Sequence, residues 1–238
     1  MFEMRTLSMN PFKDARNHVI DQIQSACARV QRDPATVELL AVSKTHPSSA
    51  IRDMYELGQR CFGENYLQEA LDKIQALKDL NIEWHFIGHV QRNKTKSLAE
   101  HFDWVHGVDR LIIAERLSSQ RAEHAADLNI CLQVNIDHQH TKDGCQPEDV
   151  AELVQTISRL PKLKLRGIMV IPAPEHAEAF EAAKTLFDAV KTQHAHPEQW
   201  DTLSMGMSAD LNAAIAAGST IVRIGTALFG ARDYSQGV

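Results

Sequence analysis

Several things are scarce or missing in this 238-residue chain, and each narrows its function. There are only four cysteines, Cys27, Cys61, Cys131 and Cys145, with no CxxC pair and no disulfide-dense spacing. That usage suits a reducing cytosol, and Cys61 and Cys131 fall in apolar runs as core thiols. No apolar run approaches the ~18 residues of a membrane span, and the opening MFEMRTLSMN lacks the apolar core of a signal peptide. The expected location is therefore cytoplasmic, away from membranes. The formal net charge of -6 argues against a nucleic-acid partner. No GxGxxG follows the first strand candidate and no GxxxxGKS/T occurs, which removes the simplest nucleotide-binding readings. No Gly/Pro/Ser-rich linker divides the chain, so a single domain over residues 1–238 is expected.

What is present is the composition of an ordinary globular protein, 44% hydrophobic and 24% charged. Phe12, Ala15, Val19, Ile23, Ala26 and Val30 recur at spacings of three and four and predict an amphipathic helix over 11–31. Strand candidates then alternate with helices. The strands are predicted at Val37–Lys44, 60–65, 82–88, 104–109, 129–135, Leu163–Ile171 (closed by Pro172 and Pro174), Thr202–Ser208 and 220–226. The intervening helices fall at 48–58, 66–78, a basic segment bearing Arg92, Lys94 and Lys96, 111–126, 148–159, 176–192 and Ala209–Ala217, with a terminal turn at Ala227–Arg232. Strict alternation implies parallel pairing through right-handed crossovers. Eight such units in a chain of this length predict a modified (β/α)8 TIM barrel with an extra N-terminal helix, and an open doubly wound sheet is the alternative.

In a barrel the polar strand tips converge on one mouth. The first is Lys44, where the apolar run Leu39-Leu40-Ala41-Val42 stops just before Pro47. It either caps the strand toward water or sits half-dry at the rim, where a lysine of lowered pKa forms a Schiff base with an aldehyde or ketone. From the stretch alone both readings stand. Ser204 to Ser208 precede a helix, and Gly225-Thr226 follow the last strand. Such loops form an anion site, and either serine alternatively serves as a helix N-cap. A Schiff-base lysine opposite a phosphate site suggests pyridoxal 5′-phosphate. Arg223, always charged, would face its pyridine nitrogen and make it a weaker electron sink than a carboxylate would. A cofactor-free Schiff-base aldolase is the other chemistry these residues allow.

The remaining tips are less specific. Glu64 and Asn65 either orient the ring or lysine or are plain strand ends. His85, His89 and His106 read as satisfied core or rim histidines. Asp137-His138-Gln139-His140 and His194-Ala195-His196 have ligand-type side chains but no second cluster, so no metal site is expected. Met205 and Met207 read as barrel packing, and the run Arg92–Lys96 as a solvated helix face.

The segments LLAVSKTHP (39–47), FGENYLQEALDKI (62–74), EWHFIGHVQRNK (83–94), KDG (142–144), LRGIMVIP (165–172), LSMGMSADLNAAIAAGST (203–220) and VRIGTALFGAR (222–232) together resemble the pyridoxal phosphate homeostasis protein family, related in fold to the N-terminal barrel of alanine racemase. The resemblance covers nearly the whole chain. It implies pyridoxal phosphate carried on Lys44, Arg223 toward the pyridine nitrogen, the phosphate on Ser208, Gly225 and Thr226 with Ser204 nearby, and Asn65 in the pocket. It also implies a secondary contact with the cofactor at Lys142, and cofactor buffering or delivery to pyridoxal-phosphate-dependent apoenzymes without established turnover. A racemase-like enzyme is the alternative. Racemisation needs a proton acceptor on each face of the substrate, and of the tyrosines Tyr55, Tyr66 and Tyr234 none falls at an obvious strand tip. No large dimer face is marked, so a monomer is the default. Two positions depart from the family's pattern: Gly107 stands where a serine is expected, and no acidic residue precedes Lys142 near Thr141.

Overall fold

The computed structural model describes residues 10–139, 141–173 and 178–231; Pro174, His140, Tyr234 and the Arg232 end of the terminal turn lie outside them. Eight strands form a closed barrel in chain order. They are β1 (Glu38–Val42), β2 (Cys61–Glu64), β3 (Glu83–Phe86), β4 (Trp104–Val108), β5 (Leu128–Val134), β6 (Leu163–Val170), β7 (Thr202–Ser204) and β8 (Ile221–Ile224). Every pair is parallel, including β8 with β1, where Leu40 stands opposite Arg223. The expected barrel is therefore the fold.

Helices follow the strands: α1 (Lys13–Arg29) before the barrel, then α2 (Ser48–Glu56), α3 (Leu67–Ala76), α4 (Thr95–His101), α5 (Leu111–Gln120), α6 (Val150–Ile157), α7 (Glu178–Val190), α8 (Leu211–Ala216) and α9 (Thr226–Phe229). The extra helix α1 has a structural use. α8 and α9 have only 6 and 4 residues, too short to cover the barrel wall where β8 meets β1. α1 lies against both, burying Val19, Ile23, Ala26 and Cys27, with Phe12 edge-on to Phe229 at 5.6 Å. Each large buried side chain there contributes about 1.5–3 kcal/mol by leaving water.

Several boundaries differ from the sequence reading, each for a local reason. β1 ends at Val42, and Ser43 and Lys44 lie beyond it, because Thr45 at φ 65° bends the chain out of the strand. β7 stops at Ser204, because Gly206 at φ 96° turns the chain, and α8 begins only at Leu211. A Cβ at position 206 would also lie 2.5 Å from the Ala214 Cβ. α5 ends at Gln120 because Arg121 leaves the helical region and its side chain donates to the carbonyls of Ala99, Phe102 and Ala126. The basic segment opens with a 3-10 turn over Arg92–Lys94 before α4, and Arg92, Lys94 and Lys96 are exposed, as a solvated face requires.

The large apolar cluster lies between strands and helices, where Ile51, Leu98, Leu117, Val154, Ala183 and Ile215 are fully buried. The remaining apolar clusters are small: Leu40, Val42, Cys61, Ile87 and Ile221, and Trp104, Cys131 and Met169. The buried His85, His106, Ser204 and Arg223 bond to one another instead of joining any of the three.

Candidate functional site

Parallel strands bring all their C-terminal ends to one mouth, and there the chain encloses a cavity of about 310 Å³. That lies at the lower end of the roughly 300–1,000 Å³ of small-molecule sites. Of the seven expected site residues, Lys44, Asn65, Ser208, Arg223, Gly225 and Thr226 line it together. They come from the ends of β1, β2 and β8 and the loop after β7. Ser204 does not line it. It is fully buried beneath Arg223, whose Nη1 donates to its carbonyl at 2.7 Å and its Oγ at 2.8 Å.

Lys44 is half-buried, and the turn that carries it is fixed from below. Lys73, on α3 and 5% exposed, donates to the Ser43 carbonyl at 2.8 Å, to Glu64 Oε1 at 2.8 Å and to Glu69 Oε1 at 2.5 Å. Ser43 Oγ donates to Glu64 Oε1 at 2.6 Å, and the Thr45 N–H to Glu69 Oε1 at 2.6 Å. Residues on both sides of Lys44 are thus tied to one buried cluster. Burial lifts the Glu64 carboxyl above its ordinary range, against the pull of Lys73 and Ser43.

Arg223 is equally constrained. Its Nη2 donates to the Val170 carbonyl at 2.9 Å, so two partners on β6 and β7 set the plane of the guanidinium. Burial lowers its pKa to about 10, which leaves it cationic at neutral pH. Below it a line of hydrogen bonds crosses the barrel. Ser204 Oγ meets His106 Nδ1 at 3.0 Å, His106 Nε2 meets His85 Nδ1 at 2.9 Å, and His85 Nε2 meets Glu83 Oε1 at 2.9 Å. Burial above all, with the charge of Arg223 adding to it, pushes His106 well below the usual histidine value, so it is neutral. The two ends set the direction. Arg223 only donates and an ionised Glu83 only accepts. Ser204 therefore donates to His106, His106 to His85 and His85 to Glu83, and every member is satisfied.

Asn65 sits on a tight stack of backbone. A Cβ on Gly88 would come within 2.3 Å of the Asn65 carbonyl oxygen, and one on Gly107 within 2.4 Å of the Gly88 oxygen. The glycine found at 107 in place of the expected serine thus allows β3 and β4 to approach closely. Asn65 Oδ1 is buried with no hydrogen-bond partner, a polar atom left for a ligand.

Other expectations resolve differently. Neither Ser204 nor Ser208 caps α8: the N-cap position is Asp210, whose Oδ1 accepts the Met207 N–H at 2.5 Å. Met205 is buried as expected, but Met207 is 38% exposed and borders the cavity. His85 and His106 are satisfied core histidines and His89 a rim one. His194 Nε2 donates to the Leu165 carbonyl at 2.8 Å, and its Nδ1 accepts the His196 N–H at 2.8 Å. Lys142 contacts Asp137 Oδ2 at 3.0 Å and the Ile171 carbonyl at 2.8 Å. It lines a neighbouring cavity of about 230 Å³ that shares Ile171 with the main one. Sequence reasoning missed His46, stacked on Phe229 at 5.0 Å in the cavity wall, and the whole Lys73 cluster. The only hint of His46 was its place two residues after Lys44.

Comparison with known proteins gives the family and the fold. Residues 18–233 match the family described as alanine racemase, N-terminal domain. The chain is 53% identical over 222 residues to a pyridoxal phosphate homeostasis protein of Pseudomonas aeruginosa, covering 91% of this chain and 94% of that one. It is 50% identical over 236 residues to the protein of that name from Escherichia coli K12, covering 96% and 100%. Among solved structures it is similar to PipY of Synechococcus elongatus with PLP bound, at a TM-score of 0.74 and 39% identity, covering 89% of this chain and all of that one.

Proposed function

The chain belongs to the pyridoxal phosphate homeostasis proteins, built on the alanine racemase N-terminal barrel, and from that premise we propose that it holds pyridoxal 5′-phosphate in the cavity of Lys44 and Arg223 as a carrier. The observation that carries the reading is the placement of Lys44 and Arg223 on one cavity whose wall also offers the orphaned Asn65 Oδ1. The residues fit the cofactor. Lys44 supplies the amine that attaches it. Arg223 presents donors toward the ring nitrogen. Ser208, Gly225 and Thr226 offer hydroxyls and backbone to the phosphate, and Asn65 accepts from the ring substituents. When bound to an enzyme, this cofactor supplies an electron sink for carbanions.

What the chain's own residues do here favours holding over turnover. Arg223 keeps its positive charge beside the ring nitrogen, which opposes protonation there and weakens the sink. The Lys73 cluster fixes the turn bearing Lys44, so the amine is presented rather than swung through an arc. Among the described residues no tyrosine lines the cavity, and a racemase needs an acceptor on each face of its substrate. The recipients that match a carrier are pyridoxal-phosphate-dependent apoenzymes.

The test is the absorbance spectrum of purified protein loaded with pyridoxal phosphate, before and after borohydride, followed by peptide mapping. Fixation of the cofactor on the Lys44 peptide is expected, and its complete loss in Lys44→Ala, with weaker non-covalent binding retained. A normal holo spectrum in Lys44→Ala would contradict the assignment. Steady conversion of any L-amino acid to its D form, lost in that variant, would replace the carrier with an enzyme.

A further inference from the structure

At the opposite, N-terminal mouth of the barrel the first residues of three consecutive strands meet. Glu38 opens β1, Cys61 opens β2 and Glu83 opens β3, with His85 two residues further on. The ligand-type atoms of these four side chains all lie within 4.8 Å of one another. Cys61 Sγ is 2.9 Å from Glu38 Oε1 and 4.0 Å from Glu83 Oε1, and His85 Nε2 is 2.9 Å from Glu83 Oε1. We propose that Glu38, Cys61, Glu83 and His85 form a four-coordinate site for a borderline-soft divalent cation of the zinc type, separate from the cofactor cavity.

Three independent features support the site. The first is geometry. Bonds of about 2.0–2.3 Å to oxygen, nitrogen and sulfur give tetrahedral edges of roughly 3.3–3.8 Å. The observed separations bracket that range, so small side-chain movements close the tetrahedron. The second is the donor set. One thiolate, one imidazole and two carboxylates suit zinc; magnesium and calcium prefer all-oxygen sites and copper(I) more sulfur. The third is the support behind the histidine. His85 Nδ1 bonds to His106 Nε2, which fixes the ring with Nε2 facing the cluster, the arrangement that orients ligating histidines.

The site is reachable. Glu38 is exposed, the Glu83 side chain is 44% exposed, and Glu38 and Cys61 border an open cleft of about 420 Å³. The local field favours a cation. Burial, then Glu38 and Glu83, hold the Cys61 thiol far above its ordinary value, and Asp103 adds to the negative potential. Of the cations near the cluster, Arg166 is engaged by Asp201 and the face of Trp104, Arg60 by the Tyr55 and Gln59 carbonyls and the Tyr55 ring, and Arg16 lines the same cleft. Metal binding reverses the thiol's preference, since a coordinating thiol ionises outright. One proton leaves, from Cys61 Sγ. His85 and His106 each move their proton to Nδ1, with none lost, and Ser204 Oγ becomes an acceptor for both His106 and Arg223. Four protein ligands leave no open position, so the role is to staple β1, β2 and β3 at the face where barrels carry stability.

The experiment is titration of the full-length protein with Co²⁺ alone, read in the visible spectrum and followed by displacement with Zn²⁺. The expected result is one equivalent of Co²⁺ with intense tetrahedral bands and a thiolate-to-cobalt band, both erased by Zn²⁺, and a melting temperature that rises with Zn²⁺. In Cys61→Ser, nearly isosteric and checked for fold by circular dichroism, the thiolate band should vanish and affinity fall by more than about tenfold, since even outer-shell losses at metal sites cost about 10–100-fold. Glu38→Gln should weaken binding while keeping the thiolate band. Weak octahedral bands in the parent protein, or a spectrum and affinity unchanged in Cys61→Ser, would overturn the site.

Discussion

At the C-terminal mouth of the barrel the polar side chains around the opening include Lys44, Asn65 and Arg223; at the N-terminal mouth they include Glu38, Cys61 and Glu83. The same strands supply both sets. β1 begins at Glu38 and leads to Lys44, six residues on, about 20 Å at ~3.3 Å per residue. That exceeds the roughly 8 Å screening length of physiological salt, so exposed charges at the two mouths scarcely affect each other through solvent. The link between them runs inside, from Arg223 through Ser204, His106 and His85 to Glu83. One mouth thus gathers Lys44 and Arg223 and the other Glu38 and Glu83, and the barrel keeps the two groups apart while they share a spine.

The comparison can be broken most strongly by giving the upper mouth the lower one's charge. Arg223→Glu places a carboxylate opposite the ring nitrogen and should drive that nitrogen to its protonated form. Nitrogen-15 NMR of labelled cofactor would show this as a large change in the ring resonance, and an unchanged resonance would rule out direct contact. Next in size is the support of Lys44. Lys73→Met leaves Glu64, fully buried, without its cationic partner. Removing one member of a buried pair costs about 3–5 kcal/mol, to be read from urea denaturation, and the loosened Ser43–Thr45 turn should slow cofactor attachment. A loss below about 1 kcal/mol would mean that Glu64 rests there neutral and content. The smallest effect belongs to the spine. Ser204→Ala deprives Arg223 Nη1 of one acceptor and His106 Nδ1 of its donor, a loss of about 1–3 kcal/mol for buried groups left unpaired. It should also weaken cofactor binding through a freer Arg223, with Lys44 attachment intact. Equal stability and affinity in Ser204→Ala would show that the two mouths are independent.

The candidate cofactor site was legible to the extent that it is made of strand ends. LLAVSKTHP announces its lysine because an apolar run stops at a charge, and Gly225-Thr226 announces a turn after the last strand. Ser204 stands apart from the cavity lining for a clear reason. It is four residues from Ser208 and looks equivalent, yet it is still within β7 and bonds to Arg223 and His106 inside the barrel, whereas Ser208 lies past the Gly206 turn in the cavity wall. His46, Met207 and Lys73 gave no usable signal, since nothing local distinguishes a helix lysine that reaches a strand end from one that reaches solvent.

By itself the sequence determined the element order, the parallel pairing and which residues lie near the strand ends, because helix and strand periodicity are local properties of the chain, although the turns at Thr45 and Gly206 end β1 and β7 earlier than that periodicity alone indicates. Only the tertiary structure decided which of those residues meet. His106 and Ser204 are 98 positions apart, Lys73 and Ser43 are 30, and Glu38, Cys61 and Glu83 open three separate strands. Their contact depends on the register of neighbouring strands and on which residues turn inward once the barrel closes. A shift of one residue would send each of them to the other face, and that choice is made by packing across the sheet, not by the residues beside them in the chain.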